Sequence, residues 1–368
     1  MTLDPETAAV YRAKAVAWRD ARVGKPGGPA LRLVDATGST PMAPLLDIGC
    51  GPGLLAAHLP APVIGLDPIR EMLDLLPDHA PQAFALQAGA ADLPFATESL
   101  GGALAANVYI HLDRPALPMA LAELHRVLQV DAPVEFQLFE GDQDLLALPG
   151  DSMGGRRFAR WQPDALRDVI EGAGFTIERF EQIQGDDDRW PAIEVSARRA
   201  LTLPDVVGPD MRLLICGLNP SVYSAETLVG FGRPGNRFWP AALGAGLASV
   251  DRDPRHMLAH HGVGMTDLVK RATPRADELT ADEYRAGLAR VERLCGWLRP
   301  DAVCFVGLAG WRAAADRKAT AGWQARTLGP SAVYVMPSTS GLNAHARLED
   351  LTDHLATAAA GPAGAVAR

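Results

Sequence analysis

The stretch Leu213–Trp239, LLICGLNPSVYSAETLVGFGRPGNRFW, decides how the second half of this chain is read. Leu213-Leu214-Ile215-Cys216 is a short apolar run of the kind that forms a buried strand. Gly217, Pro220 and Gly235 then punctuate a long loop, and loops leaving such strands are where sites sit. The chain contains only four asparagines, and Asn219 and Asn236 both fall in this loop. A third, Asn343, lies in a second loop, Met336–Leu348, reading MPSTSGLNAHARL.

Strands are expected at 211–217, 302–307 and 332–336, and helices at 238–246, 254–260, 281–298, 309–316 and 347–358. This alternation describes an α/β unit with a parallel sheet. Loops at the carboxyl ends of such strands converge on one crevice, so Asn219 is expected to face Ser340-Gly341-Leu342-Asn343. This half contains no Gly-x-Ser-x-Gly and no Ser-His-Asp order. An asparagine amide does not ionise at neutral pH, so it cannot act as a base, but its carbonyl oxygen can hold a water. That arrangement suits a bond that breaks largely by itself once its leaving group is stabilised, as an N-glycosidic bond does. Phe231 offers a face on which a planar base can stack, and Leu342 is an apolar residue at a loop tip, the form of a wedge that pushes a base from its stack.

Gly217-Leu218-Asn219-Pro220, Gly232–Trp239 (GRPGNRFW) and Met336–Leu342 (MPSTSGL), with Gly264–Val269 (GMTDLV), resemble the mismatch-specific uracil/thymine-DNA glycosylases of the uracil-DNA glycosylase superfamily, over about residues 205–357. The resemblance implies that Asn219 positions the attacking water, that Leu218, Phe231 and Ser340 belong to the base and DNA contacts, and that Leu342 is the wedge. It implies that the backbone of Gly341 and Asn343 reads the orphaned guanine, and that Ser224, near the C5 edge of the base, favours uracil over thymine. Ala344 stands where relatives often carry an arginine, and Met336 where the more active uracil glycosylases begin the loop with a histidine, so slow turnover is expected. No metal is expected in this half.

The first half opens with a helix expected over 4–22, started by Asp4-Pro5-Glu6. Pro44–Gly53 (PLLDIGCGPG) then joins an apolar strand to a glycine turn and a helix-like LLAAHL, a nucleotide-cradling order of elements. A second strand, 62–66, ends at Asp67, an acid placed to grip ribose hydroxyls. These residues resemble the class I S-adenosylmethionine-dependent methyltransferases over about residues 1–200. The resemblance implies S-adenosylmethionine as cofactor, held by Asp47, Gly49, Gly51, Gly53 and Asp67, with Ala90 and Asp92 toward the adenine. Gly89 occupies the position best matched to the usual adenine-binding acid, and Ala105–His111 lacks the frequent aspartate after the fourth strand. The acceptor is open; a small molecule is the default, with Tyr109 and His111 as candidate acceptor-side groups against a structural histidine.

Length and charge agree with a fusion. A chain of 368 residues, 48% hydrophobic, is comfortable for two buried cores. The net charge of −9 divides unevenly: residues 1–200 hold 17 Lys+Arg against 28 Asp+Glu, a net of −11, and residues 201–368 hold 18 against 16, a net of +2. Only the second half can approach a phosphate backbone without strong repulsion. Cys50, Cys216, Cys295 and Cys304 show no CxxC spacing, which argues against zinc and iron–sulfur sites and fits a reducing, cytoplasmic compartment. No apolar run reaches the length of a membrane span. The expected fold is two doubly wound α/β domains: a Rossmann-like methyltransferase fold over 1–200, a linker over 201–210, a uracil-DNA-glycosylase-like fold over 211–357 and a flexible tail over 358–368. The expected partner is duplex DNA with a mismatched or damaged base. Two other readings stay open: a small-molecule methyltransferase with an accessory DNA-binding domain, and a glycosylase carrying a degenerate cofactor-binding or docking module.

Overall fold

A computed structural model of the protein describes residues 3–24, 27–38, 42–184 and 190–362. The chain divides into two compact units, one of residues 1–171 and 175–200 and one of 201–368 with 172–174. Both are α/β, as the alternation of elements in the sequence implied.

In the first unit, helices α1 (Pro5–Asp20) and α2 (Gly28–Thr37) precede strands β1 (Leu45–Ile48) and β2 (Val63–Asp67). Asp4 caps α1 by accepting from the Thr7 amide at 2.8 Å. Short helices α3 (Arg70–Leu73) and α4 (Leu76–His79) lead to β3 (Ala83–Gln87) and β4 (Gly102–Ala106). Helix α5 (Leu117–Val127), strand β5 (Pro133–Glu140), short strands β6 (Leu146–Ala147), β7 (Arg157–Phe158) and β8 (Arg160–Trp161), helix α6 (Pro163–Gly172), and strands β9 (Phe175–Ile183) and β10 (Ala192–Arg199) complete it. The sheet order is β3-β2-β1-β4-β5-β10-β9. The first five strands in that order are parallel, and β10 runs antiparallel to both its neighbours, β5 and β9. The order in which the strands are laid down reverses between the parallel β1 and β4, the switch point at which such sheets open a crevice, and the glycine turn lies there at the carboxyl end of β1.

One expectation changes here. The segment LLAAHL does not continue as a helix; only a single 3₁₀ turn, Ala56–His58, forms before Leu59 goes extended. Pro60 and Pro62 follow directly, and the residue before a proline is pushed out of the helical region.

The second unit carries β11 (Leu213–Gly217), α7 (Val222–Thr227), α8 (Phe238–Gly244), α9 (Pro254–His261), β12 (Val263–Asp267), α10 (Ala281–Leu298), β13 (Ala302–Val306), α11 (Leu308–Ala314), β14 (Gly322–Trp323), β15 (Ala332–Met336) and α12 (Leu348–Ala360). Its sheet order is β12-β11-β13-β15-β14, parallel except for β14. Strands β11, β12 and β13 are buried along their whole length, which a parallel sheet covered on both faces demands. Helix α10 begins with a capping box, Thr280 and Glu283, and buries Leu288, Val291, Leu294, Cys295 and Leu298 against Phe305 and Trp311.

Residues 201–210, expected as a linker, are an integral part of this unit. Val207 is fully buried, and Val206 exchanges backbone hydrogen bonds with Met265. Asp205, also buried, holds Lys270 at 2.8 Å and Arg290 at 2.6 Å and accepts from the Thr266 hydroxyl at 2.7 Å. Burial works to raise the Asp205 pKa, but the two cations outweigh it and hold the carboxyl below its ordinary value. Pro204 and Gly208 made the segment look like punctuation; the apolar residues between them pack instead. At the other end, α12 runs through Ala360 with Ala358 buried, so the tail begins later than residue 358, and residues 363–368 lie outside the described residues. Among the described residues no helix is long and apolar enough to cross a membrane.

Removing one partner of a buried ion pair leaves an uncompensated charge. Asp205→Ala should therefore destabilise the second unit by about 3–5 kcal/mol, read as a lower denaturant midpoint for that unit's transition. A shift within error would show that Lys270 and Arg290 find other partners.

Candidate functional site

The loop after β11 and the loop after β15 come together through one side chain. Arg237 donates from Nη2 to the carbonyls of Ser340 at 2.9 Å and Asn343 at 2.7 Å, and from Nη1 to the carbonyl of Ala346. Its backbone amide donates to the Thr339 carbonyl at 3.0 Å. A guanidinium presents donors in a rigid fork, so one side chain fixes three carbonyls of an irregular loop at once. The fold uses Arg237 as a clasp between the two loops. Gly341 lies so close to the first loop that a Cβ there would stand 2.8 Å from the Gly235 carbonyl oxygen, so this contact requires glycine.

Asn219 is held by its amide nitrogen. Nδ2 donates to the Thr273 hydroxyl at 2.8 Å and to the carbonyls of Arg271 at 3.0 Å and Pro220 at 3.2 Å. The Thr273 hydroxyl spends its own proton on the Arg275 carbonyl at 2.8 Å, so it can only accept from Asn219. Two carbonyl acceptors and this hydroxyl fix which way the amide faces, and Oδ1 takes no hydrogen bond from any described residue. An amide so anchored presents a preorganised acceptor.

Phe231 is half-buried and stacks on Phe238 with ring centroids 4.3 Å apart at 20°. Its backbone has φ 56, a left-handed conformation that costs about 1–3 kcal/mol for such a residue and is kept where the surroundings enforce it. Trp239, fully buried and bonded through Nε1 to the Gly230 carbonyl at 2.8 Å, is one enforcing contact. Leu342 stands at the tip of the second loop with 91% of its surface exposed. Ser340 braces that tip, its carbonyl accepting from the Asn343 amide at 2.9 Å and its hydroxyl from the Leu342 amide at 3.3 Å. The Asn343 amide is thus occupied within the loop. Ser224 lies inside α7 at 4% exposure, its hydroxyl accepting from the helix-capping Ser221 at 3.1 Å. A cleft of about 410 Å³ at the carboxyl ends of β11, β13 and β15 brings Leu218 beside Ser338 and Asn343, with Gly310 and His345 on its walls.

In the first unit, Gly49, Gly51 and Gly53 all take positive φ, as the turn after β1 requires. Asp47 and Asp67 flank the turn, both buried. Asp67 accepts from the Gly51 amide at 2.9 Å and the Ile69 amide at 2.8 Å, and burial raises it to about 6. Asp47 is raised to about 8 by burial and then by the neighbouring Asp67, and its Oδ2 is buried without a partner. Trp18 of α1 faces the turn, 3.6 Å from where a Gly51 Cβ would be, and its indole Nε1 is also buried and unpartnered. Unpartnered donor, unpartnered acceptor and two carboxyls without a cation fit a ligand that brings hydroxyls and positive charge.

Asp92 is exposed and Ala90 half-buried beyond β3, and no hydrogen bond among the described residues joins either to the glycine turn. His111 is buried, pushed down to about 4 by burial, with Nδ1 on the Arg157 carbonyl and Nε2 on the Tyr11 hydroxyl, each at 2.8 Å. Tyr109 is buried with its hydroxyl unpartnered. Sequence reasoning missed Trp18 and Thr273, which carry no local motif. It also missed β12, although Gly264–Val269 stood out, and with it the placement of Asp267 beside Gly217.

Residues 204–359 match the model of the Uracil DNA glycosylase superfamily. The second unit is a uracil-DNA glycosylase superfamily domain. Residues 46–134 match a methyltransferase domain, so the chain is a fusion of a methyltransferase domain with this glycosylase-superfamily domain. Solved structures similar to the chain include a SAM-dependent methyltransferase of Methanosarcina mazei, 17% identical, covering 46% of this chain and 97% of that one at TM-score 0.41. The 1,6-didemethyltoxoflavin-N1-methyltransferase of Burkholderia thailandensis is 19% identical, covering 54% and 92% at TM-score 0.43. Among the described residues of both domains no group of three or more His, Cys, Asp or Glu could hold a metal ion.

In the glycosylase-superfamily domain, shortening Arg237 takes the donor from the Asn343 and Ala346 carbonyls and leaves Ser340 with the Asn343 backbone amide alone. Arg237→Ala should speed amide hydrogen exchange across 338–346 by at least tenfold while β11 keeps its protection, since a bond to a charged group contributes about 1.5–3 kcal/mol. Unchanged exchange would mean that the second loop holds its shape alone.

Proposed function

We propose that the glycosylase-superfamily domain hydrolyses the N-glycosidic bond of uracil, and of related damaged pyrimidines, in mismatched duplex DNA, as a base-excision repair step. The observation that carries this is the Asn219 amide, fixed through its nitrogen with its carbonyl oxygen free. In this reading Leu342 enters the stack as the base leaves it, and the base lies on the open face of Phe231, whose other face is taken by Phe238. The C1′–N1 bond breaks with its electron pair going to the base. The sugar becomes oxocarbenium-like, and the water held on Asn219 Oδ1 adds to C1′ and loses its proton to solvent, leaving an abasic site. Leu218 and Asn343 line the crevice, Ser340 and Gly341 belong to the loop that carries Asn343, and Ser224 lies in α7 between Asn219 and Phe231. Without an ionisable base on the water, turnover is slow.

The test is alkaline strand cleavage of duplexes containing G·U, G·T and A·U. Abasic product is expected from G·U above all, and product from none of them refutes the reading. Asn219→Ala should lower the G·U rate by on the order of 10²-fold or more, the scale of losing one preorganised group.

For the methyltransferase domain, S-adenosylmethionine is the cofactor this reading assigns. Asp47, Asp67 and the turn of Gly49, Gly51 and Gly53 would hold it, and it would supply the methyl group to an acceptor. Trp18 covers the turn, and Ala90 and Asp92, beyond β3, would lie toward the adenine. A cation binding beside Asp47 and Asp67 favours their ionised forms, whose pKa values of about 8 and about 6 are raised by burial in the free protein. Binding then releases protons, so affinity should rise between pH 6 and pH 8 in isothermal titration, and Asp67→Ala should weaken it about tenfold or more. Affinity that falls with pH would contradict the assignment. A binding module without turnover is the second reading for this domain, favoured by His111, whose ring nitrogens are both committed to Tyr11 and Arg157.

A further inference from the structure

Helix α9, Pro254–His261, carries three of the chain's nine histidines. Asp253 caps it, accepting from the His256 amide at 2.8 Å. Met257 is fully buried, so that side of the helix lies on the core. His256 and His260 stand four residues apart and so share a different side, one above the other. Their rings stack with centroids 4.1 Å apart at 30°. His256 is half-buried and His260 is exposed.

No hydrogen bond joins a ring nitrogen of either histidine to a described residue, and His256 Nδ1 is buried in that state. A buried nitrogen without a partner is costly, and a folded chain rarely keeps one without cause. His261 differs from the pair. Its ring centroid is 6.0 Å from that of His256, and its Nε2 is engaged with the Ser249 hydroxyl at 2.9 Å. The helix dipole favours His260 and His261 in the last turn, but it gives no reason for His256 near the start.

Imidazole nitrogens are donors that zinc, nickel and copper take readily. Two of them at this spacing on one helix can close a chelate over a single turn. The run His256-Met257-Leu258-Ala259-His260 has the spacing of a hydrolytic zinc helix, but Met257 stands where such a helix carries its glutamate. An ion held here therefore has no base beside it. Asp251 and Asp253, the nearest carboxylates in the chain, are engaged with Arg252 and with the helix cap. The described residues supply no third ligand, so water completes the shell on the open side of His260.

We propose that His256 and His260 form a two-histidine chelate for a divalent cation of the zinc, nickel and copper class, pinning the first turn of α9 to its last. The site serves the fold and is independent of the proposed excision chemistry, which uses no metal. Helix α9 runs directly into β12, the outermost strand on that side of the sheet and the partner of β11. A bound ion thus braces the flank of the strand pair from which the Asn219 loop leaves.

The test is isothermal titration of the full chain, as wild type, H256A, H260A and H261A, with Zn²⁺, Cu²⁺, Mg²⁺ and Ca²⁺. Wild type should bind Zn²⁺, bind Cu²⁺ more tightly, and ignore Mg²⁺ and Ca²⁺, which take oxygen ligands. H256A and H260A should each weaken Zn²⁺ binding about tenfold or more, while H261A leaves it unchanged. Hydrogen exchange locates the ion: Zn²⁺ at about ten times its Kd should slow the α9 amides about tenfold in wild type and leave them unchanged in H260A. His260 is exposed, so H260A carries the test if H256A fails to fold. No Zn²⁺ binding, binding that H260A leaves intact, equal loss in H261A, or slowed exchange that spares α9 overturns the proposal.

Discussion

The candidate glycosylase site depends on the Arg237 guanidinium. Without secondary structure, the loop after β15 has carbonyls that need donors, and three of them, in Ser340, Asn343 and Ala346, take theirs from this one side chain. Because Arg237 opens α8, the clasp ties the second loop to the helix whose Phe238 supports Phe231. Platform, wedge and loop backbone thus share one anchor. A lysine, with a single point charge on a flexible stem, would not hold the same three acceptors in a plane.

Desolvated carboxyls recur at the strand ends of both units, and their partners separate structural roles from ligand-directed ones. Asp205 has two cations and a hydroxyl and is held below its usual range; it joins the 201–210 segment to β12 and α10. Asp47 and Asp267 have no side-chain partner and rise. Asp67 is intermediate, with two backbone amides that leave it raised by burial. The same residue type serves as mortar in one place and as an unspent binding group in another, and the local count of cations decides which.

Much of the architecture was legible in the chain because parallel strands write themselves as apolar runs. Leu213–Cys216, Ala302–Val306 and Ala332–Met336 all read correctly for that reason. Strand β12 did not, since Val263-Gly264-Met265-Thr266-Asp267 mixes glycine and polar residues into a fully buried strand. The 201–210 segment misled through Pro204 and Gly208, which mark turns only where nothing apolar beside them finds a core. Of the candidate site, Asn219, Phe231 and Leu342 were visible as residues of the wrong type for an ordinary loop. Their supports, Thr273, Phe238 and Arg237, were not, because nothing local sets a second-loop carbonyl or a distant threonine apart.

The sequence by itself determined two α/β units, the two loops that meet in the second and the glycine turn of the first, since these follow from apolar periodicity and from glycine's conformational freedom. Only the tertiary structure decided which polar groups are satisfied. It turned Arg237 into a clasp and engaged Asn219 through its amide nitrogen, with no described residue donating to its carbonyl. It also brought Asp267 against Gly217, the 45 residues of helix and loop from 218 to 262 having been folded away between two paired strands. Whether a buried group has a partner is a property of the whole packed neighbourhood, and no window of sequence contains that neighbourhood.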